Sequence, residues 1–230
     1  MEKLAAAQVL RRTGWLSQTP VRFQEAVITR SDLLRLARGA QAYQVGDEAG
    51  GLYGLVSGRL DVHLASPDGA PSLTHVGWPG FWAGDIAAVS GQRRRMSIIA
   101  GTPSFVLRLS RAEMLRLVTE VAGDWLHFAE LLTGNFITAV TLIDMLKRDD
   151  PVERIAALLL SLEGETHDGR RFVALTQLEL AALAHLGRNS ISAALSRLEQ
   201  LRLISRNYAS VTLVDLPGLA RVCGFVHDRD

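Results

Sequence analysis

Residues 175–204 constrain the fold most, because they predict two short amphipathic helices joined by a tight turn. Thr176 is followed three residues later by Glu179. This spacing predicts a capping box, in which the hydroxyl and the carboxylate each accept a hydrogen bond from a backbone N–H that lacks a helical partner. We therefore expect a helix to begin at Gln177 and to end near His185.

The second helix of this pair is predicted to have two unlike faces. Ile191, Leu195 and Leu198 recur at i, i+4 and i+7, which is typical of a buried stripe. The opposite face is small and polar, and consists of Arg188, Asn189, Ser192, Ala193, Ser196 and Gln200. Short side chains let a helix approach DNA closely, and Arg and Asn can pair with base edges in the major groove. A helical hairpin with a solvated face is the alternative interpretation.

The segment after these helices favours the DNA-binding interpretation. Residues 203–206 and 211–214 alternate like two strands around a short turn, which predicts a wing hairpin. Residues 188–206 hold four arginines against Glu199, a local charge of +3, whereas the whole chain carries only +1. A local positive charge of this kind is expected where a protein contacts DNA phosphates.

The run Arg188-Asn189-Ser190-Ile191, with Thr176 opening the first helix, resembles the helix-turn-helix of the cyclic-AMP receptor protein/FNR (CRP/FNR) family of bacterial transcription regulators. Three positions depart from the family pattern: His185 stands at a turn glycine, Asn189 at a glutamate and Ala193 at a frequent second arginine. The DNA contacts that the resemblance implies are Thr176, Arg188, Asn189, Ser190, Ser192, Ala193, Ser196 and Arg197.

Composition narrows the class of protein. A chain of 230 residues can form two modest domains, and 48% apolar residues exclude a disordered protein. The single cysteine, Cys223, excludes an internal disulfide and a four-cysteine iron-sulfur cluster. No window of the sequence is expected to reach the apolar length of a membrane span, so we expect a soluble, cytoplasmic protein without membrane contact.

The first half of the chain is expected to begin with short helices and to continue as a β-roll. Pro20 suits a first helical position, and Ser31 is expected to start another helix. From Ala42 onward, short apolar or alternating segments predict the strands 43–45, 52–56, 60–64 and 73–76, joined by turns at 46–47, 57–58 and 66–69. Short strands at this spacing indicate a small all-β barrel or roll.

The resemblance to the CRP/FNR family extends through this half and spans roughly residues 15–220. It is carried by the run 52–58, Leu-Tyr-Gly-Leu-Val-Ser-Gly, and by glycines at turn positions, Gly46, Gly58 and Gly80. The resemblance implies a cyclic-nucleotide-binding roll with an effector cassette. The matching cassette positions are Gly84, Asp85, Ile86, Arg94 and Arg95, together with Ala139 and Val140 on the long helix.

The cassette departs from the family in both halves. Asp85 stands where cyclic-nucleotide binders have glutamate, Arg95 stands where they have a hydroxyl, and Ala139 and Val140 are apolar where hydroxyls would meet the base. Cyclic AMP, another small anionic or apolar effector, and no effector therefore all remain open. The arginine run 93–95 is equally compatible with a solvated loop.

Residues 124–148 predict one long helix, about 37 Å long at about 1.5 Å per residue. Its a/d stripe predicts a dimer interface made by Trp125, Phe128, Leu132, Asn135, Ala139, Leu142 and Leu146, with Asn135 as a register-setting polar residue. A second stripe, Phe136, Val140 and Ile143, is expected to cover the roll. A buried helix of a monomer is the alternative. Asp150 and Pro151 predict a hinge and the start of the next helix.

No catalytic motif is present in the sequence. The six histidines, at 63, 75, 127, 167, 185 and 227, show no paired metal-ligand spacing, so we expect no metal site. Walker, GxSxG and dinucleotide-binding motifs are also missing from the chain. We therefore expect a protein that is not an enzyme.

These features predict an α+β protein with three parts: a sensor roll at 1–123, a dimerisation helix and hinge at 124–149, and a winged helix-turn-helix at 150–230. The predicted function is a homodimeric, sequence-specific transcription regulator whose partners are double-stranded DNA, a second copy and RNA polymerase. The alternative is a ligand-binding module that acts through protein contacts.

Overall fold

The computed structural model describes residues 1–65, 71–162, 164–165 and 171–224. The α+β class is confirmed. Internal contacts divide the chain into Met1–Ile137 and Thr138–Asp230, with the boundary inside the long helix. The three-part division at 123 and 149 stays a prediction. The turn at 66–69, His167 and His227 lie outside the described residues.

Over its described residues, the first unit is a β-roll with three helices before its first strand, one helix between two of its strands and one directly after its last strand. The helices are α1 Lys3–Leu10, α2 Gly14–Ser17, α3 Val21–Arg30, α4 Asp85–Ser90 and α5 Arg111–Glu120. The strands are β1 Asp32–Leu36, β2 Gln41–Tyr43, β3 Gly51–Ser57, β4 Leu60–Leu64, β5 Ser72–Gly77, β6 Trp82–Ala83, β7 Met96–Ala100 and β8 Ser104–Ser110. They form two antiparallel sheets in the orders β1-β8-β3-β6 and β2-β7-β4-β5. The predicted roll is confirmed.

Strand β1 corrects the prediction that Ser31 starts a helix. Asp32–Leu36 pairs along its whole length with β8, from Asp32 opposite Arg108 to Leu36 opposite Ser104. Ser31 instead ends α3, where its hydroxyl donates to the carbonyl of Val27. A capping residue before an apolar run is a local signal, and the five-residue ladder with a distant strand outweighs it.

The predicted turn glycines are confirmed. Gly46, Gly58 and Gly80 have φ values of 90°, 92° and 97°. This is the left-handed region, in which a side chain would be strained. At Gly58 a Cβ would also lie 2.3 Å from the hydroxyl of Ser104.

An aromatic cluster joins the N-terminal helices to the start of the long helix α6, Trp125–Leu146. Trp15 lies edge-on to Trp82 with ring centroids 5.3 Å apart, and its indole N–H donates to the carbonyl of His127 at 2.8 Å. Phe23 and Phe128 pack edge-on at 5.3 Å. The first turns of α6 are therefore part of the core of this unit.

The two apolar stripes predicted on α6 differ from expectation in which of their residues are buried within the chain. Phe128, expected at a dimer interface, is 1% exposed within the chain, and the Asn135 amide donates to the Trp82 carbonyl at 3.2 Å. The stripe expected to cover the roll is instead exposed, with Phe136 at 66%, Val140 at 47% and Ile143 at 55%. Both stripes are apolar at helical spacing, so periodicity alone could not decide which one contacts the roll. Of the other interface positions, Leu132 and Leu142 are half-buried, and Trp125, Ala139 and Leu146 are exposed.

Helix α6 and the turn before it are apolar enough to correct a second prediction. Ala122–Leu146 has the length and composition of a membrane span, with 25 residues and an 18-residue window whose mean hydropathy is 1.4. The run contains three acidic residues, Asp124, Glu130 and Asp144, and no Lys or Arg, so the mean hydropathy of the window stays high. A membrane span and a helix covered by protein share this composition. The packing of Phe128 and the hydrogen bond of Asn135 favour protein as the partner.

Within its described residues, the second unit contains four helices after the end of α6, together with a small sheet. It contains the end of α6, then α7 Pro151–Ser161, β9 Gly164–Glu165, β10 Arg171–Val173, α8 Gln177–Ala184, α9 Arg188–Gln200, β11 Ile204–Asn207, β12 Ser210–Leu213 and α10 Leu216–Val222. The sheet order is β11-β12-β10-β9. The predicted cap at Asp150 is confirmed, because its carboxylate accepts from the N–H of Val152 at 2.8 Å.

Candidate nucleic-acid interface

Helix α8 begins at Gln177 with the predicted capping box. The Thr176 N–H donates to the Glu179 carboxylate at 2.7 Å, and the Glu179 N–H donates to the Thr176 hydroxyl at 3.2 Å. Both N–H groups would otherwise lack a helical partner. This reciprocal pair defines where the first helix of the motif starts.

The turn between α8 and α9 is left-handed at His185, which has a φ of 55°. The N–H of the next residue, Leu186, donates to the Ala181 carbonyl at 2.9 Å, which closes the end of α8. Histidine therefore takes the left-handed conformation that glycine adopts more easily. The departure from the family glycine leaves the helix-turn-helix connection in place.

Helix α9 separates its two faces as predicted. Ile191, Leu195 and Leu198 are 0–1% exposed and pack inside the unit. On the other face, Arg188, Asn189, Ser192, Ala193, Arg197 and Gln200 are exposed, and Ser190 and Ser196 are half-buried. The exposed residues are two arginines and uncharged polar or small residues, and none of them is acidic. This face can therefore approach the phosphates of DNA.

An ion pair joins α9 to the wing, which is formed by β11 and β12. From the sequence, its carboxylate, Glu199, was evident only as part of the local net charge. The Arg206 guanidinium donates to Glu199 at 2.8 Å, and its backbone N–H donates to the other carboxylate oxygen at 3.0 Å. Arg206 also lowers the pKa of Glu199, chiefly through this hydrogen bond. The pair joins the last turn of α9 to β11. The β11–β12 turn then carries Tyr208, which is fully exposed.

In the effector cassette of the first unit, the arginine Arg94 is buried and bonds to main-chain carbonyls of the same unit. Arg94 is 3% exposed and donates to the carbonyls of Gly84 at 2.9 Å and Gly51 at 2.7 Å. Its guanidinium lies 4.0 Å from the centroid of the Tyr43 ring, within cation–π distance. Arg95, the residue at the family's hydroxyl position, is exposed. The adjoining cavity is about 20 Å³, enough for about one water molecule.

Asp85 lies beside Arg94 and is also buried, at 6% exposure. Burial raises the pKa of this carboxyl, and a hydrogen bond from Asn135 opposes the rise. Ile86 is 44% exposed, and Ala139 and Val140 are exposed and carry no side-chain polar atom. Two Arg94 nitrogens are bonded to main-chain carbonyls, whereas the buried Nε of Arg94 and Oδ2 of Asp85 have no hydrogen-bond partner among the described residues. A cyclic nucleotide would need a wider cavity than this arrangement has.

Sequence reasoning missed Arg154, whose guanidinium donates to the carbonyl of Arg148, just after α6, and to the carbonyl of Ala184, at the end of α8. A cation near the N-terminus of a helix is unfavourable for the helix dipole. The position of Arg154 in the first turns of α7 therefore indicated a partner outside that helix.

Comparison with known proteins matches both units. Residues 33–121 match the cyclic nucleotide-binding domain, and residues 153–222 match the Crp-like helix-turn-helix domain. The transcriptional regulatory protein btr of Bordetella pertussis is 24% identical over 83% of this chain and 81% of that protein.

Solved structures agree with these matches. A CRP-family transcriptional regulator of Thermus thermophilus is 28% identical, with a TM-score of 0.66 over 83% of this chain and 96% of that one. FixK2 from Bradyrhizobium japonicum has a TM-score of 0.73 at 18% identity, over 84% of this chain and 96% of that one.

A β-roll followed by a winged helix-turn-helix defines a transcription regulator with a cyclic nucleotide-binding domain and a DNA-binding domain. The order of the two matched domains, together with the relatives, identifies the family of this regulator. The chain belongs to the CRP/FNR family of bacterial transcription regulators.

Proposed function

We propose that this chain is a sequence-specific regulator that reads a pseudo-palindromic operator as a homodimer. One observation carries the proposal: α9 buries Ile191, Leu195 and Leu198 and leaves Arg188 and Asn189 exposed at its N-terminal end. In helix-turn-helix proteins the N-terminal residues of this helix contact base edges. Arg188 would pair with a guanine and Asn189 with an adenine.

The proposed dimer interface is the exposed stripe Phe136, Val140 and Ile143 of α6, joined by Ile137, which is 59% exposed. Burial of this apolar surface would stabilise the dimer by about 25 cal/mol for each Å² removed from water. A two-fold dimer would place its reading helices about 34 Å apart, in successive major grooves. A native mass spectrum of the purified protein gives the number of chains directly.

Small-molecule control through the roll is part of the proposal, and the narrow cavity at the cassette argues against a cyclic nucleotide as the effector. Any effector must bind two states of the regulator with different affinity to shift their populations. The proposal also includes a cytoplasmic location without membrane contact, no catalytic activity, and RNA polymerase as a partner. It is supported by relatives that are transcription regulators.

The test is selection of duplexes from a random-sequence pool by the wild-type protein. The selected duplex and a scrambled duplex of equal length are then titrated with wild type, Arg188→Ala and Arg221→Ala. Arg221 is a matched control, since its side chain is 73% exposed and lies 3.7 Å from Asp215 at the start of α10. Arg188→Ala should lose about 1–3 kcal/mol on the selected duplex and much less on the scrambled one.

Equal losses on the two duplexes would mean that Arg188 contacts phosphate and does not read a base. Selection of no sequence, together with an affinity that does not change with salt, would instead support a module that acts through protein contacts.

A further inference from the structure

Three helix ends in the second unit meet at two arginines. Arg148 follows the end of α6, and its side chain donates to the carbonyl of Cys223, the residue that ends α10. The Arg148 carbonyl in turn accepts from the Arg154 guanidinium, whose Nε lies 3.0 Å away. Arg154 also donates to the carbonyl of Ala184, the last residue of α8, at 3.2 Å.

These contacts follow from the chemistry of helix ends. The last four carbonyls of a helix lack intrahelical partners and carry partial negative charge. Guanidinium has five N–H donors in one plane and can bond two carbonyls at the same time, whereas an ammonium group cannot hold the same planar fork. Arg154 is half-buried, which strengthens its hydrogen bonds relative to those at a surface.

The position of Ala184 makes this link relevant to DNA reading. Ala184 immediately precedes the left-handed residue His185, at the turn that leads into α9. Arg154 thus joins the segment that leaves the long helix to the turn that sets the direction of α9. Without Arg154, the end of α6 would remain connected to this unit by the backbone at residues 147–150 and by the Arg148 side chain, which contacts Cys223, but its direct link to the end of α8 would be lost.

We propose that Arg154 is a positioning residue that fixes the orientation of α9 relative to the end of α6, and thereby the spacing at which a dimer reads two half-sites. The inference rests on the proposed DNA-binding dimer. Arg154 is not placed in contact with DNA. Its role is to hold the reading helix in the one orientation that two-fold binding requires.

The experiment measures how affinity depends on half-site spacing. The probe is the duplex selected by wild type, with variants in which one or two base pairs are inserted or removed at its centre, and a duplex carrying one half-site. Each is titrated with wild type, Arg154→Met, Arg154→Lys and the control Arg221→Met. Circular dichroism at the titration temperature checks that each protein is folded.

Wild type and Arg221→Met should prefer the selected spacing sharply. If removal of the link leaves about one-tenth of molecules in the competent orientation, Arg154→Met loses about tenfold affinity on the selected duplex. The same loosening should shrink its penalty for altered spacing, while its affinity for the single half-site stays within about twofold of wild type. Arg154→Lys should fall between the two.

Two results would overturn the inference. One is an equal loss by Arg154→Met on all duplexes, the single half-site included, which a general weakening of the fold would produce. The other is a spacing preference in Arg154→Met or Arg154→Lys identical to that of wild type. If Arg154→Met does not fold, the spacing preference of Arg154→Lys decides. Selection of no sequence by wild type would refute the proposed function itself.

Discussion

Replacement of Arg94 by methionine tests whether the cassette arginine serves the fold or a ligand. The buried guanidinium donates to the carbonyls of Gly84 and Gly51 and stacks on Tyr43. Methionine has similar length and no donors, so both carbonyls lose their arginine donor, at a cost of about 1–2 kcal/mol each. Loss of the cation–π contact costs about 1 kcal/mol more, and relief of the buried charge offsets part of the total.

We therefore expect Arg94→Met to lower the free energy of unfolding of the first unit by about 2–4 kcal/mol. Tryptophan fluorescence in a urea titration measures this unit alone, because all four tryptophans, at 15, 78, 82 and 125, lie before residue 138. Arg95→Met is the matched control. Its side chain is exposed, so the change should stay within about 0.5 kcal/mol.

The same titration tests the fit of a cyclic nucleotide. A ligand at one hundred times its dissociation constant stabilises the folded state by about 2.7 kcal/mol. Millimolar cyclic AMP should leave the wild-type urea midpoint unchanged. A change below about 1 kcal/mol in Arg94→Met, or a clear stabilisation of wild type by the nucleotide, would refute the structural role assigned to Arg94.

Two further changes test the local physics of each unit. Thr176→Ala removes the capping box and should destabilise the second unit by about 1 kcal/mol, measured as the far-ultraviolet circular dichroism change in urea; an unchanged transition would contradict the assigned cap. Asp85→Asn tests the raised pKa of the buried carboxyl. The folded state binds this proton more tightly than the unfolded state, so wild type loses stability as pH rises from the ordinary aspartate value through the raised one. The variant should thus gain stability relative to wild type across that window and match it below, whereas a pH-independent difference in urea titrations would argue against the shift.

Sequence alone accounts for the features that depend on neighbours in the chain. The capping box at Thr176, the two faces of α9 and strand β4 at 60–64 follow from spacing over a few residues. The turn glycines also follow from local preference, because only glycine adopts a positive φ without strain. The two-domain order and the family resemblance rest on these same local features.

Tertiary structure decided what depends on contacts between distant residues. Asp32–Leu36 is a strand because β8 pairs with it, and Arg94 is bonded to carbonyls that lie 10 and 43 positions away. Phe128 is buried in the core of the first unit because Trp15 and Phe23 of the N-terminal helices pack against it, although its spacing equally suited a dimer interface. Arg154 reaches Ala184 across 30 positions. Periodicity shows which residues share a face of a helix, but the partner of that face depends on chain segments that only folding brings together.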